Sequence, residues 1–133
     1  MLVPSLKPPR LLEREVTGQI REFMKLKGWR PLRMQRTVMP GQFQTGEPGI
    51  PDFVFLRYLK PGLAAVLWIE IKRPGGKLRP AQLEWIPREQ KRGAAVWVVE
   101  DFDNFHRKYY GEFGWLHDGR LAGQIELFRG ALA

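Results

Sequence analysis

Asp52, Glu70 and Lys72 are the residues whose types and spacing can do chemistry together. Asp52 follows Gly49-Ile50-Pro51 and heads an apolar run, Phe53-Val54-Phe55-Leu56. Glu70-Ile71-Lys72 closes a second run that begins at Ala64. Side chains of a strand repeat on one face every two residues, so Glu70 and Lys72 point one way and Ile71 points into the core. A charged pair leaving a buried strand is costly unless something uses it. Lys60-Pro61-Gly62 is a turn, which makes the two runs antiparallel neighbours and sets Asp52 against Glu70. Carboxylates that close raise a pKa or bind a cation. Hard oxygens favour Mg²⁺ or Mn²⁺, and the Ile71 backbone carbonyl adds a further donor. Such a cation polarises a phosphate and activates water, while Lys72 orients that water or steadies the developing charge. The chemistry is phosphodiester cleavage.

Each piece alone is weak. Glu89-Gln90-Lys91 repeats the Glu-x-Lys spacing on a polar helical stretch, and a proline before an aspartate is only a turn signal. The combination is sharper: a proline-led Asp on one strand, Glu-x-Lys ending the next, and Gln82 entering the helix beyond. Glu13 borders the apolar face of the first helix, three and seven residues before Val16 and Ile20, and is expected to act on the metal through water. Glu15 lies further round and faces solvent. Other chemistries lack their residues. There is no cysteine, and neither His106 nor His117 has a second histidine at metal-ligand spacing. Asp101-Phe102-Asp103 has His106 where a calcium loop needs glycine. Gly75-Gly76-Lys77-Leu78 lacks the spacing and the Ser or Thr of a nucleotide-binding loop, so no nucleotide cofactor is implied.

The positioning elements follow from periodicity. Leu12, Val16, Ile20, Phe23 and Met24 recur at helical spacing until Gly28. Trp29 to Val38 is extended, and Met39 to Pro51, with three glycines and three prolines, is a loop. Two strands carry Asp52 and Glu70. Pro80 opens a helix that runs towards Arg92, and Pro87 is expected to kink or split it. Val96-Trp97-Val98-Val99 is a further strand, and a helix follows from about Phe102 to Tyr110. Asp118-Gly119 suggests a small hairpin in the tail. Trp85 is expected in the core. The fold class is α/β, a central mixed sheet flanked by helices. Residues 1–9 form a tail, and 10–133 a single domain.

The chain carries 22 basic and 14 acidic residues, a formal net charge of +8, which favours a polyanionic partner such as nucleic acid. Arg73, Lys77 and Arg79 flank the Pro74-Gly75-Gly76 loop after Lys72 and can track phosphates. Arg30, Arg33 and Arg36 make a second rail ahead of the active-site loop. No run is long enough to cross a bilayer, and the N-terminus lacks the pattern of a secretory signal. A soluble, cytoplasmic protein is expected.

Glu13-x-x-Val16, Gly28-Trp29, Gly49-Ile50-Pro51-Asp52, Trp68-Ile69-Glu70-Ile71-Lys72, Pro74-Gly75-Gly76, Leu78, Pro80-x-Gln82 and Gly93 together resemble a VRR-NUC domain. This is the virus-type replication-repair nuclease branch of the PD-(D/E)XK superfamily. The resemblance spans roughly Glu13 to Glu100. It implies a restriction-endonuclease-like core of helix, three strands, helix and strand, and Mg²⁺- or Mn²⁺-dependent cleavage of structured DNA. It also implies Asp52, Glu70 and Lys72 as catalytic residues, with Glu13 and Gln82 in support. Residues 103–133 lie outside it, as an extension or a dimer surface. A domain this small gains basic surface by pairing, and a two-fold dimer suits the two matched incisions of a four-way junction. The alternatives are a monomeric flap or nicking nuclease and a DNA-binding module that does not cut.

Overall fold

A computed structural model describes residues 12–34 and 46–132, with side chains up to residue 126. The elements run α1 (Glu13–Leu26), β1 (Arg30–Arg33), β2 (Phe53–Lys60), β3 (Leu63–Ile71), α2 (Pro80–Lys91), β4 (Ala95–Val99), α3 (Phe102–Phe113), a short 3-10 turn (Gly114–Leu116) and α4 (Leu121–Leu132). From α1 to β4 this is the expected order of helix, three strands, helix and strand. The sheet runs β1-β2-β3-β4. The first two pairings are antiparallel, and β3 pairs with β4 in parallel, with α2 as the crossover.

Alternation along the strands gives each face its own cover. Phe53, Phe55, Leu67, Ile69, Ile71, Trp97 and Val99 turn to α1 and α3, where Val16, Ile20, Met24, Phe105 and Tyr109 complete the main core. Trp68 and Val96 turn the other way and meet Trp85 and Ile86 of α2. Glu70 shares the parity of Trp68, so it leaves the sheet on the α2 side. α1 stops where a glycine is needed: Gly28 has φ +90°, Gly28 N–H donates to the Lys25 carbonyl (3.0 Å), and Trp29 N–H donates to that of Met24 (2.9 Å). That double bond pattern closes the helix and aims the chain into β1.

Three expectations change. α2 is continuous from Pro80 to Lys91 across Pro87, so Pro87 does not split it. Leu83, whose carbonyl would have received the missing N–H, and Pro87 itself are both exposed, which leaves that carbonyl open to hydration. The tail hairpin is not formed. Asp118-Gly119 is a turn, but it joins the 3-10 turn to a helix, α4. Leu, Ala, Gln and Glu dominate the first part of that segment, and they favour a helix over short strands. Finally, Phe105, Tyr109 and Leu116 are buried in the main core, with Phe113 and Trp115 packed against it. Phe105 and Tyr109 thus fill this chain's own interior, whereas Tyr110 of the same helix is exposed. The extended segment from Gln35 to Val38 and the loop from Met39 to Thr45 lie outside the described residues.

Candidate active site

β2 starts and β3 ends at the same end of the sheet, because Phe53 lies opposite Ile69. Asp52 and Glu70 are therefore neighbours. The Asp52 backbone N–H donates to Glu70 Oε2 at 3.0 Å, and Lys72 Nζ stands 3.3 Å from Glu70 Oε1. Both oxygens of Glu70, a residue only 2% exposed, thus have partners that hold the carboxylate in place. Around the pair, Met34 N–H donates to the Asp52 carbonyl (2.8 Å) and Lys72 N–H to the Val99 carbonyl (2.9 Å). All four strands tie into this end. Burial first, then the negative charges of Glu70 and Glu13, push the Asp52 carboxyl up to about 6, while Lys72 and Arg79 pull against that rise. A carboxyl so placed carries its charge reluctantly until a cation joins it.

The loop before Asp52 is seated on α2. Gly49 has φ +85°, and a Cβ there would lie 2.3 Å from the Ala81 carbonyl oxygen. Only glycine lets the two backbones meet so closely. Pro51 behind it is fully buried. At the start of α2, Gln82 Oε1 accepts the Arg79 N–H at 2.9 Å. Gln82 is wholly buried, and its Nε2 has no hydrogen-bond partner. A dry donor without an acceptor is expensive in a finished fold and cheap where a ligand completes it.

The other expected residues divide. Glu13 is exposed and bears on Asp52 through its charge alone. Among the described residues no group of three or more acidic or histidine side chains could hold a metal ion, so Glu13 is not placed as a direct third ligand. Ile71 puts its side chain in the core, which leaves its backbone for the site. Arg79 is exposed and close enough to act on Asp52. Arg73 and Lys77 are exposed on the loop between. Arg33 ends β1 opposite Phe53, beside the site, and Arg36 lies outside the described residues. Arg30 sits at the other end of β1, exposed and donating to the Tyr58 hydroxyl at 3.3 Å. Trp85 is buried edge-on against Trp68, centroids 5.1 Å apart, so it is core. His117 Nε2 lies 2.6 Å from the Tyr109 hydroxyl, which accepts the Trp29 indole N–H at 2.9 Å. A hydroxyl that receives that bond is free to donate its own proton, which suits the neutral His117 that burial favours by lowering the histidine's pKa.

One cation escaped sequence reasoning. Arg21, between Ile20 and Met24 on α1, is partly buried with its guanidinium 5.6 Å from the centre of the Phe53 ring. The available signal was a basic residue inside the buried stripe of an amphipathic helix. The duplicate Glu-x-Lys resolves as expected. Glu89 pairs with Arg92 (2.7 Å) and Arg88 (3.7 Å), and Lys91 is exposed at the far end of α2. Replacing Glu89 and Lys91 together by alanine should leave cleavage within a few-fold of wild type. A loss as deep as that of a Glu70 variant would put the active site on the wrong segment.

No helix among the described residues is long and apolar enough to cross a membrane. A comparison with curated proteins finds no match. Among solved structures, one described as a VRR_NUC domain superposes with a TM-score of 0.56 at 24% identity, covering 76% of this chain and 96% of that one. Its likeness speaks for the fold. The family model of the VRR-NUC domain matches residues 13–101, the stretch that holds Glu13, Asp52, Glu70, Lys72 and Gln82 and every strand of the sheet. On that match the chain belongs to the VRR-NUC domain family.

Proposed function

We propose that this chain is a divalent-metal-dependent DNA endonuclease whose site is built on Asp52, Glu70 and Lys72. Family membership supplies the coarser statement, a nuclease-type, DNA-processing domain. The observation that carries the finer one is the buried Glu70 held between the Asp52 N–H and Lys72, with Asp52 raised beside it. The donor chemistry fits Mg²⁺ or Mn²⁺: two carboxylates and the Ile71 carbonyl, which leaves further positions for water and a substrate phosphate, the usual mode for Mg²⁺. When bound, the ion supplies Lewis-acid polarisation of the phosphate and a more acidic water. The chain's own residues do the rest. Lys72 holds the attacking water or the charge that forms on phosphorus-bound oxygen. Gln82 offers its unused Nε2–H to an oxygen of water or substrate. Arg73, Lys77, Arg79, Arg33 and Arg36 meet the sugar-phosphate backbone without reading its sequence.

The proposed substrate is branched DNA, with a symmetric homodimer cutting both strands of a four-way junction. Its support is geometric, since a chain with one site makes one incision and a junction needs two related by a dyad. A monomeric flap or nicking nuclease is the second reading. The observation in its favour is that Phe105 and Tyr109 are spent in this chain's own core. Light scattering alongside a junction-cleavage time course in Mg²⁺, Mn²⁺ or EDTA separates the two. Paired incisions by a dimeric species are expected. A monomeric mass with nicks that never pair would sink the junction reading, and no cutting in either metal would sink the nuclease reading.

A further inference from the structure

Arg21 is out of place for a residue of a buried helix face. Its Nε is buried and has no hydrogen-bond partner, and its guanidinium lies over the Phe53 ring. Cation–π contact steadies such a group but gives its N–H donors nothing to bind. Arg33 lies directly opposite Phe53 across the β1–β2 pair, so the two side chains share a face of the sheet. Arg33 therefore leaves the sheet on the face that carries the Phe53 ring, the face on which Arg21 of the helix packs. No ion pair joins either arginine to a carboxylate among the described residues; the nearby Glu22 is taken by Lys25 at 3.9 Å.

The location matters as much as the charge. Phe53 is the residue after Asp52, and consecutive Cα atoms are about 3.8 Å apart. Helical side chains lean towards the helix N-terminus, so Arg21 reaches back along α1 towards the end of the sheet where Asp52 and Glu70 stand. Met34, next to Arg33, is bonded to the Asp52 carbonyl. A planar fork fixed against an aromatic ring, with a second arginine leaving the same face of the sheet, matches the tetrahedral oxygens of a phosphate.

We infer that Arg21 and Arg33 form a phosphate clamp that holds the DNA backbone beside the carboxylate pair, on the α1 side of the sheet. The inference rests on the proposed choice of DNA as partner and needs no cleavage to be tested. A strand lying across this end of the sheet has its reacting phosphate at Asp52 and Glu70 and a flanking phosphate in the clamp. Arg21 is the buried, preset member, and Arg33 is the exposed member that closes on the same group.

The test is DNA binding by the full chain in EDTA, followed by fluorescence anisotropy over a series of NaCl concentrations. Arg21→Met keeps the apolar stem against Phe53 and removes the charge, and Arg21→Lys keeps the charge without the fork. For Arg21→Met, affinity should fall about tenfold, and the slope of log K against log salt should flatten by about 0.9, one phosphate's worth. Arg21→Lys should keep the slope and lose part of the affinity. Arg33→Ala should act like Arg21→Met, and the double variant should lose less than the product of the two, as for groups sharing one anion. Unchanged affinity and slope in Arg21→Met would overturn the clamp, as would a wild-type chain that binds no DNA. A chain that binds through Arg21 but never cuts would leave the clamp standing and remove the nuclease assignment. A chain that cuts with Arg21→Met indistinguishable from wild type would do the reverse.

Discussion

Glu70→Gln should lower the cleavage rate by about 10²- to 10³-fold or more, the scale seen when one preorganised stabilising group is removed from a reacting centre. The amide keeps the carboxylate's shape, so the Asp52 N–H retains an acceptor, while the ion pair with Lys72 and one metal-binding charge disappear. Asp52→Asn and Lys72→Ala should fall at least as far. Binding to DNA in EDTA should survive in all three, since affinity comes from many cations on phosphates, of which Lys72 is only one, and each lost carboxylate removes a repulsion. Single-turnover cleavage measured beside anisotropy checks both halves. Full cleavage by any one variant would remove that residue from the mechanism. The pH profile follows from Asp52. Its carboxyl, raised to about 6 without metal, is charged above that pH and protonated below it, and only the charged form binds a cation. At limiting metal the rate should therefore drop as pH falls through this region, and added Mg²⁺ should move the drop to lower pH by competing with the proton.

Gly49→Ala should be the most damaging single change outside the core. The new Cβ would meet the Ala81 carbonyl oxygen at 2.3 Å, its carbon at 2.6 Å and Trp85 Cβ at 2.9 Å, on a residue with φ +85°. Two of those contacts are backbone in the first turn of α2 and cannot swing aside. Strain at positive φ and overpacking each cost about 1–3 kcal/mol, so the melting temperature should fall by about 10 °C or more. Activity should fall too, because the displaced loop carries Pro51 and Asp52. Gly75→Ala is the matched control, with φ +77° and open space where its Cβ would go. Calorimetry on the two proteins decides; equal melting temperatures would mean that the loop is not seated on α2 as described.

What the amino-acid order made legible was whatever depends on a short repeat. Two-residue alternation along Leu67 to Ile71 separates Glu70 from Ile71, and the Lys60-Pro61-Gly62 turn sets the antiparallel pairing that brings Asp52 to Glu70. Both can be argued from neighbours in the chain. Arg21 could not, because its significance comes from Phe53, thirty-odd residues away and placed by the sheet. The tail went wrong for a related reason: Asp118-Gly119 marks a turn but not what it joins, and Leu121 onwards takes its helical state from composition. Pro87 shows the limit of a local rule, since a lost bond on an exposed helix face does not interrupt the helix. The seating of Gly49 on Ala81 and the unmet donor of Gln82 are tertiary facts that no spacing announces.

Asp52 and Glu70 belong to a single hairpin, β2–β3, joined through Pro61-Gly62. A slip of one residue in that pairing would turn every side chain of β3 to the opposite face. Glu70 would then be driven among Ile20, Phe105 and Tyr109, with Ile69 and Ile71 pushed towards α2. The slipped chain would bury an unpaired carboxylate in the apolar interior, a state far too costly to accumulate. A slipped hairpin is therefore disfavoured as a compact but inactive alternative to the native fold. The acid proposed for the chemistry would thus also proofread the strand alignment, and variants that neutralise it would weaken that safeguard.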